Sequence, residues 1–321
     1  MVDSMEIINN TLTINKDNLS SNIKPIIKRI KESIDLNKDL IEEANNIDLK
    51  NNNGFKINFD VIDNIFNLVK KENLLYGTIT LSEKDSSRNI TYGKEILDIG
   101  NVLVINDGNP YTLIEMTIRN IMAGNTTIFC NNGYMYGTNQ LLIELIQTIL
   151  EEHNISKYLV QIYLTEDYED ILNNYANIDL VICIGNHSLQ RLVLNNSKTP
   201  TIVSGYEHFD LYIEDTTHLD FIKEIINSGI DINIYEKDEL NLDFNNSIIV
   251  GDIDEAIAQI NYNGNRFSSS IFTNNKENAS KFIKEVKSKT VTVNTSPTIE
   301  RILDIKQTDL IREKVIIYPE K

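Results

Sequence analysis

Residues 100–139 read GNVLVINDGNPYTLIEMTIRNIMAGNTTIFCNNGYMYGTN. An apolar, β-branched run at 102–105 stops in Asn106-Asp107-Gly108-Asn109-Pro110, a dense cluster of turn formers. Leu113, Met116, Thr117 and Ile121 then share one helical face, and Ala123-Gly124-Asn125 closes that helix. A second short apolar run, 127–130, passes through Asn131-Asn132-Gly133 into another helical pattern. Strand–loop–helix repeated twice predicts a doubly wound parallel sheet, the architecture of nucleotide-binding domains. Many α/β domains begin this way, so the pattern fixes a fold class and leaves function open.

Outward from this stretch the alternation continues. The sequence predicts a helix over 138–153, a strand over 158–163, a helix over 166–175 and a strand over 180–184. Gly185-Asn186-His187-Ser188 follows that strand and leads to a helix over 189–194. Strands at 201–204 and 211–213 precede a helix over 219–228, with Gly229 as its C-cap. A smaller α/β unit comes next, with strands at 230–235, 247–250, 269–272 and 290–293 and helices at 253–262 and 277–287. One further strand is expected at 315–318. On the N-terminal side, 7–14 reads as a strand. A helix capped by Ser20 or Ser21, with Pro25 in its first turn, carries Ile23, Ile26, Ile27, Ile30 and Ile34. Residues 51–54 form a loop, Ile62, Ile65, Phe66 and Val69 mark a second helix, 75–81 a strand and 83–88 a polar turn. The expected domains are 1–229 (N-terminal helices and the nucleotide-type domain), 230–296 (the smaller unit) and 297–321 (a short C-terminal segment).

Composition narrows the function classes. The chain has 321 residues, 41% apolar and 24% charged, with no apolar run long enough to span a bilayer. No basic-then-apolar leader is visible, so a cytoplasmic location is expected. A net charge of −17 opposes binding to nucleic acid or to an anionic membrane. The basic stretch 24–31 reads as the solvent face of a helix. Four scattered histidines, His153, His187, His208 and His218, offer no metal-ligand spacing. Cys130 and Cys183, the two cysteines, each fall inside an expected strand, where an inert buried thiol is the ordinary reading. There is no GxGxxG, no Walker loop and no serine nucleophile elbow. Two loops remain suited to phosphate or a cofactor, residues 107–110 and 185–188, each ahead of a helix start where free N–H groups attract anions. Ordinary connecting loops explain either one equally well. Glu207-His208, ahead of the strand at 211–213, reads as a solvated loop.

Five segments in order resemble the aldehyde dehydrogenase superfamily, and within it the γ-glutamyl phosphate reductases. They are IEEANNIDL, NPYTLIEMTIRNIMAGNTTIF, TNQLLIELIQTIL, IDLVICIGNHSLQRLVLNNSKTPTIVSGYEHFDLYIED and DIDEAIAQINYNGNRFSSSIFTNNKENASKFIKEVKSKTVTVNTS. The resemblance implies an aldehyde-dehydrogenase-like α/β fold whose second domain is trimmed, with NADP or NAD as cofactor and no metal. It places Asn109, Pro110, Gly185 and Asn186 in the cofactor loops. The departures are specific. Ile226-Asn227-Ser228-Gly229 runs directly into Ile230, skipping the family's catalytic-cysteine segment, and no cysteine follows Cys183. Asn109, Cys130 and Ile184 stand where the family has arginines, Asn131-Asn132 replaces a Gly-Gly, and Phe209-Asp210 replaces a Cys-His. Thiohemiacetal chemistry needs an accessible thiolate, so no catalytic residue is assigned. Three readings follow. One is an inactive relative that binds a nucleotide, a small molecule or a protein partner, as a homodimer or beside a related active subunit. Another is a working NAD(P)H-dependent reductase of γ-glutamyl phosphate or another acyl compound. The last is a structural or assembly protein.

Overall fold

The computed structural model describes residues 4–319 except 52–55, 86–89, 107, 166, 174, 186, 205–208, 228–231, 243, 245, 264–266 and 298–304. It divides into two compact units, one of Met1–Ile57, Ile65–Gly205 and Ile305–Lys321, the other of Asn58–Asn64 and Tyr206–Asp304.

The first unit opens with α1 (Ser4–Thr11), α2 (Leu19–Leu36), α3 (Lys38–Asn51) and, shared with the second, α4 (Phe59–Val69). The strand expected at 7–14 is thus a helix: Ile7 and Ile8 drop together into the core beside Ile171 and Val193, which strict alternation would not allow. Helix α2 starts one turn earlier than expected, with Asn18 at its N-cap, so Pro25 lies in its interior and not in its first turn. The strand expected at 75–81 begins later, as β1 (Ile79–Asp85), and β1 extends into the stretch read as a polar turn. It pairs antiparallel with β2 (Ile90–Asp98).

The βα alternation then proceeds as β3 (Asn101–Asn106), α5 (Pro110–Ala123), β4 (Thr126–Asn131), α6 (Tyr136–Glu152), β5 (Val160–Leu164), α7 (Tyr168–Asn173), β6 (Leu180–Ile184), α8 (His187–Asn196) and β7 (Thr201–Ser204). These five strands are parallel in the order β5-β4-β3-β6-β7. The chain begins in the middle, winds to one edge and returns to the other, the doubly wound topology that the sequence predicts. Leu103, Ile105, Ile128, Cys130, Val181 and Cys183 form one buried face, and the alternate residues Val102, Val104, Phe129 and Ile182 are also fully buried. Burial on both faces is what continuous apolar strands in a parallel sheet require.

Helix α5 has every one of its 14 residues buried. It ends at Gly124, left-handed with φ of 77°, and Asn125 ties the turn together. The Asn125 Oδ1 accepts from the N–H groups of Ile99 and Gly100, and its Nδ2 donates to Asn120 and to the Leu310 carbonyl. Gly124-Asn125 is therefore a helix stop and strand start.

The second unit holds β8 (Phe209–Ile213), α9 (Leu219–Ile226), β9 (Ile232–Lys237), β10 (Ile248–Val250), α10 (Ile253–Asn263), β11 (Ser268–Phe272), α11 (Lys276–Glu285) and β12 (Thr290–Val293). Its sheet is also fully parallel, in the order β10-β9-β8-β11-β12, which repeats the winding of the first. Because β8 is the central strand here, the chain leaves the first unit near residue 205, not near Gly229 as expected; Gly229 itself lies outside the described residues. Finally β13 (Ile311–Pro319), longer than the strand expected at 315–318, returns to the first unit and pairs antiparallel with β2.

Candidate functional site

In a sheet wound this way the strand order reverses between β3 and β6, and ligands collect outside the carboxyl ends of such neighbouring strands. Ile105 pairs with Cys183 and Asn106 with Ile184, so the loops after β3 and β6 start side by side. These are the two loops singled out in the sequence.

The β3 loop is built from its own side chains. Asn106 is fully buried, and its Oδ1 accepts from the N–H of Gly108 at 2.9 Å. Gly108 has φ of 91°, and a Cβ there would sit 2.3 Å from the Tyr134 carbonyl oxygen, so only glycine fits. The Gly108 carbonyl in turn accepts from Asn139 Nδ2 at 2.6 Å, fastening the β3 loop to the start of α6. Asn109 is the N-cap of α5, its Oδ1 accepting from the Tyr111 N–H at 2.9 Å, and Pro110 fills the first helical position. The two therefore use up much of the anion-attracting capacity of this helix start: one donor is capped and one is absent. Asp107 lies outside the described residues.

Gly185 ends β6, with its N–H donating to the Ser204 carbonyl and its own carbonyl accepting from Gln190 Nε2 at 2.9 Å. The nearest atoms to a Cβ on Gly185 would be those of the Leu189 side chain, with Cδ2 at 2.7 Å. Asn186, Glu207 and His208 lie outside the described residues.

Sequence reasoning passed over three buried asparagines beside these loops. At the end of β4, Asn131 repeats the device of Asn106: an Asn-x-Gly in which Oδ1 accepts from the glycine N–H, here Gly133 at 3.0 Å. Asn106 Nδ2, Asn131 Nδ2 and Asn139 Oδ1 are all shielded from solvent and lack a hydrogen-bond partner. Leaving such groups unmatched costs about 1–3 kcal/mol each. Two orphan donors at the ends of β3 and β4 and one orphan acceptor on α6 are thus buried polar atoms without a protein partner. The Asn-x-Gly repeat is visible in the sequence, but it reads there as a turn.

The start of α6 is closed to anions. Asp48 on α3 accepts from the N–H groups of Gly137 and Thr138 at 3.1 and 2.8 Å and from the Thr138 hydroxyl at 2.7 Å. An internal carboxylate occupies the place a phosphate would take.

Both cysteines are core residues. Cys130 and Cys183 are 0% exposed and face the cluster formed with Ile105, Ile128 and Val181. Burial pushes the Cys183 thiol up to about 12; burial, reinforced by Asp170, pushes Cys130 up as well. Neither supplies a thiolate near neutral pH. Among the described residues, no group of three His, Cys, Asp or Glu side chains is placed to hold a metal ion. No helix among them is long and apolar enough to cross a membrane.

No family model matches the chain. Curated relatives do. The γ-glutamyl phosphate reductase of Dictyoglomus thermophilum is 23% identical over 227 residues, covering 68% of this chain and 52% of the relative. That of Acetivibrio thermocellus is 25% identical over 204 residues, covering 59% and 47%. The matches thus span about half the length of these relatives or less. Among solved structures, γ-glutamyl phosphate reductase from Thermotoga maritima aligns over 99% of this chain and 98% of its own, with a TM-score of 0.61 and 17% identity. Propionaldehyde dehydrogenase from Rhodopseudomonas palustris, with bound propionyl-CoA, gives a TM-score of 0.75 at 13% identity, covering 99% and 94%. An engineered glycolyl-CoA reductase with bound NADP+ gives 0.75 at 14%, covering 99% and 97%. The fold is that of the aldehyde dehydrogenases, and the resemblance to γ-glutamyl phosphate reductases read from the five segments is borne out.

Proposed function

We propose that this chain is a nucleotide-binding relative of the γ-glutamyl phosphate reductases that does not perform their reductive step. The observation that carries the reading is the pairing at the switch point: partnerless amide groups at the strand ends, yet both thiols sealed in the sheet. The orphan Nδ2 groups of Asn106 and Asn131 suit the oxygen-rich portion of NADP or NAD, and the Gly185 turn stands on the next strand. Asn109 and Pro110 serve such a ligand by shaping the loop, and Asn186 is proposed as a further contact. A nicotinamide, when bound, carries hydride. The acyl group that it would reduce has no exposed cysteine to receive it, so the proposal assigns the residues to binding alone.

The names of the curated relatives favour a second reading, a working reductase using a different acceptor group. Isothermal titration with NADPH, NADP and NAD, run beside an assay of NADP reduction by glutamate-5-semialdehyde and phosphate, separates the two. We expect binding without turnover, weakened about tenfold, or ~1.4 kcal/mol, in Asn131→Ala. Turnover would establish the second reading. Absence of binding would leave a scaffold or partner-binding role.

A further inference from the structure

A cavity of about 520 Å³ lies along the outer edge of β5, lined by residues of α1, α6 and β5. Its volume falls in the range of small-molecule sites. β5 has one strand neighbour, β4, so this cavity is two strands away from β3 and its loop.

The walls are preset. Gln161 is 5% exposed; its Nε2 donates to the Ile7 carbonyl at 3.2 Å and its Oε1 accepts from Asn10 Nδ2 at 3.4 Å. Gln147 donates to the Val160 carbonyl at 2.8 Å, which also satisfies part of the open strand edge. Two amides are thereby held in fixed orientations, as a binding site requires.

Two opposite charges line the same space. Lys157 Nζ stands 5.6 Å from the centre of the Tyr158 ring, and Glu6 lies on the α1 wall. Neither forms an ion pair with any described residue. In a chain of net charge −17, a cavity bearing one unmatched cation and one unmatched carboxylate selects neither anions nor cations as a class. It matches a ligand that carries both charges.

We propose that this cavity binds a zwitterion of the amino-acid class, free or as a dipeptide. The carboxylate is received by Lys157, the ammonium by Glu6, and the side chain lies against the phenol rings of Tyr158 and Tyr136. Fixed amides accept or donate to the remaining polar atoms. The site is independent of the nucleotide reading.

Calorimetric titration of the full chain with the free L-amino acids and with glycyl dipeptides tests this, the two series separating the two ligand sources. The best binder is then repeated as its N-acetyl and C-amide forms and on Lys157→Met and Glu6→Gln. Both charged residues are exposed, so folding is checked simply by thermal melting. At least one ligand binds, and each loss of charge, on either side, weakens it tenfold or more, while Asn131→Ala leaves it unchanged. If nothing in either series binds, the proposal fails. It fails equally if a singly charged derivative binds as tightly, or if neither variant changes affinity.

Discussion

Replacing Arg119 with methionine probes a deeply buried charge of the first unit. The guanidinium is 3% exposed, with Nε 2.9 Å from Glu115 and Nη1 2.8 Å from Glu72. Burial alone would lower its pKa, but Glu115 and Glu72 together hold it above the usual arginine value. Glu115 is itself only 3% exposed. Methionine fills a similar volume, so the packing loss is small, and the cost comes from a carboxylate left in the core without its cation. Breaking one side of such a pair costs about 3–5 kcal/mol. For a body of this size each kcal/mol lowers the midpoint by about 2–4 °C, which gives a fall of about 6–20 °C in calorimetry. The double variant Arg119→Met, Glu115→Leu removes both charges and recovers most of that loss, because an apolar pair avoids both desolvation terms. A single variant within about 1 kcal/mol of the parent, or a double variant no better than the single, would refute the reasoning.

Two other outcomes follow from the strand-end loops and the thiols. Gly133 has φ of 82° with nothing within 4 Å of an added Cβ, whereas Gly108 combines φ of 91° with a backbone oxygen at 2.3 Å. Denaturant unfolding should therefore charge Gly133→Ala only the left-handed term of about 1–2 kcal/mol and Gly108→Ala clearly more; equal costs would dismiss the Tyr134 contact. Cys130 and Cys183 should resist a thiol-specific disulfide reagent in the native state and react together on unfolding. A fast native phase for either would contradict their burial and reopen the thiolate mechanism.

Much of the frame was legible because its residues carry a one-sided or wholly apolar period. β6 and β12 fall where the sequence predicts them, and β3, α5, β4 and α6 differ at most by a residue or two. Helix α3 escaped notice because its buried positions are Ile41, Asn45 and Asp48, two of them polar. Asn45 accepts from the Ile57 N–H and Asp48 caps α6, so that face earns burial through hydrogen bonds that hydropathy does not register. Strand β2 was missed because only Gly93 and Ile96 along it are buried and its partner β13 lies over 200 residues away. At the site, the loops after β3 and β6 were legible as candidate cofactor loops, though not as the side-by-side pair that the sheet makes of them. The partnerless atoms of Asn106, Asn131 and Asn139 were not, because an orphan group is a property of the packed surroundings and not of the residue.

The first unit is discontinuous: Tyr206–Asp304 is threaded between its last parallel strand and β13. During translation, the Nδ2 of Asn125 must therefore wait 185 residues for the Leu310 carbonyl, and β2 waits more than 200 for Ile311–Pro319. The inserted unit, whose sheet is complete by Val293, can close first on the ribosome. Until then the nascent first unit presents an unfinished antiparallel edge, open to pairing with other chains.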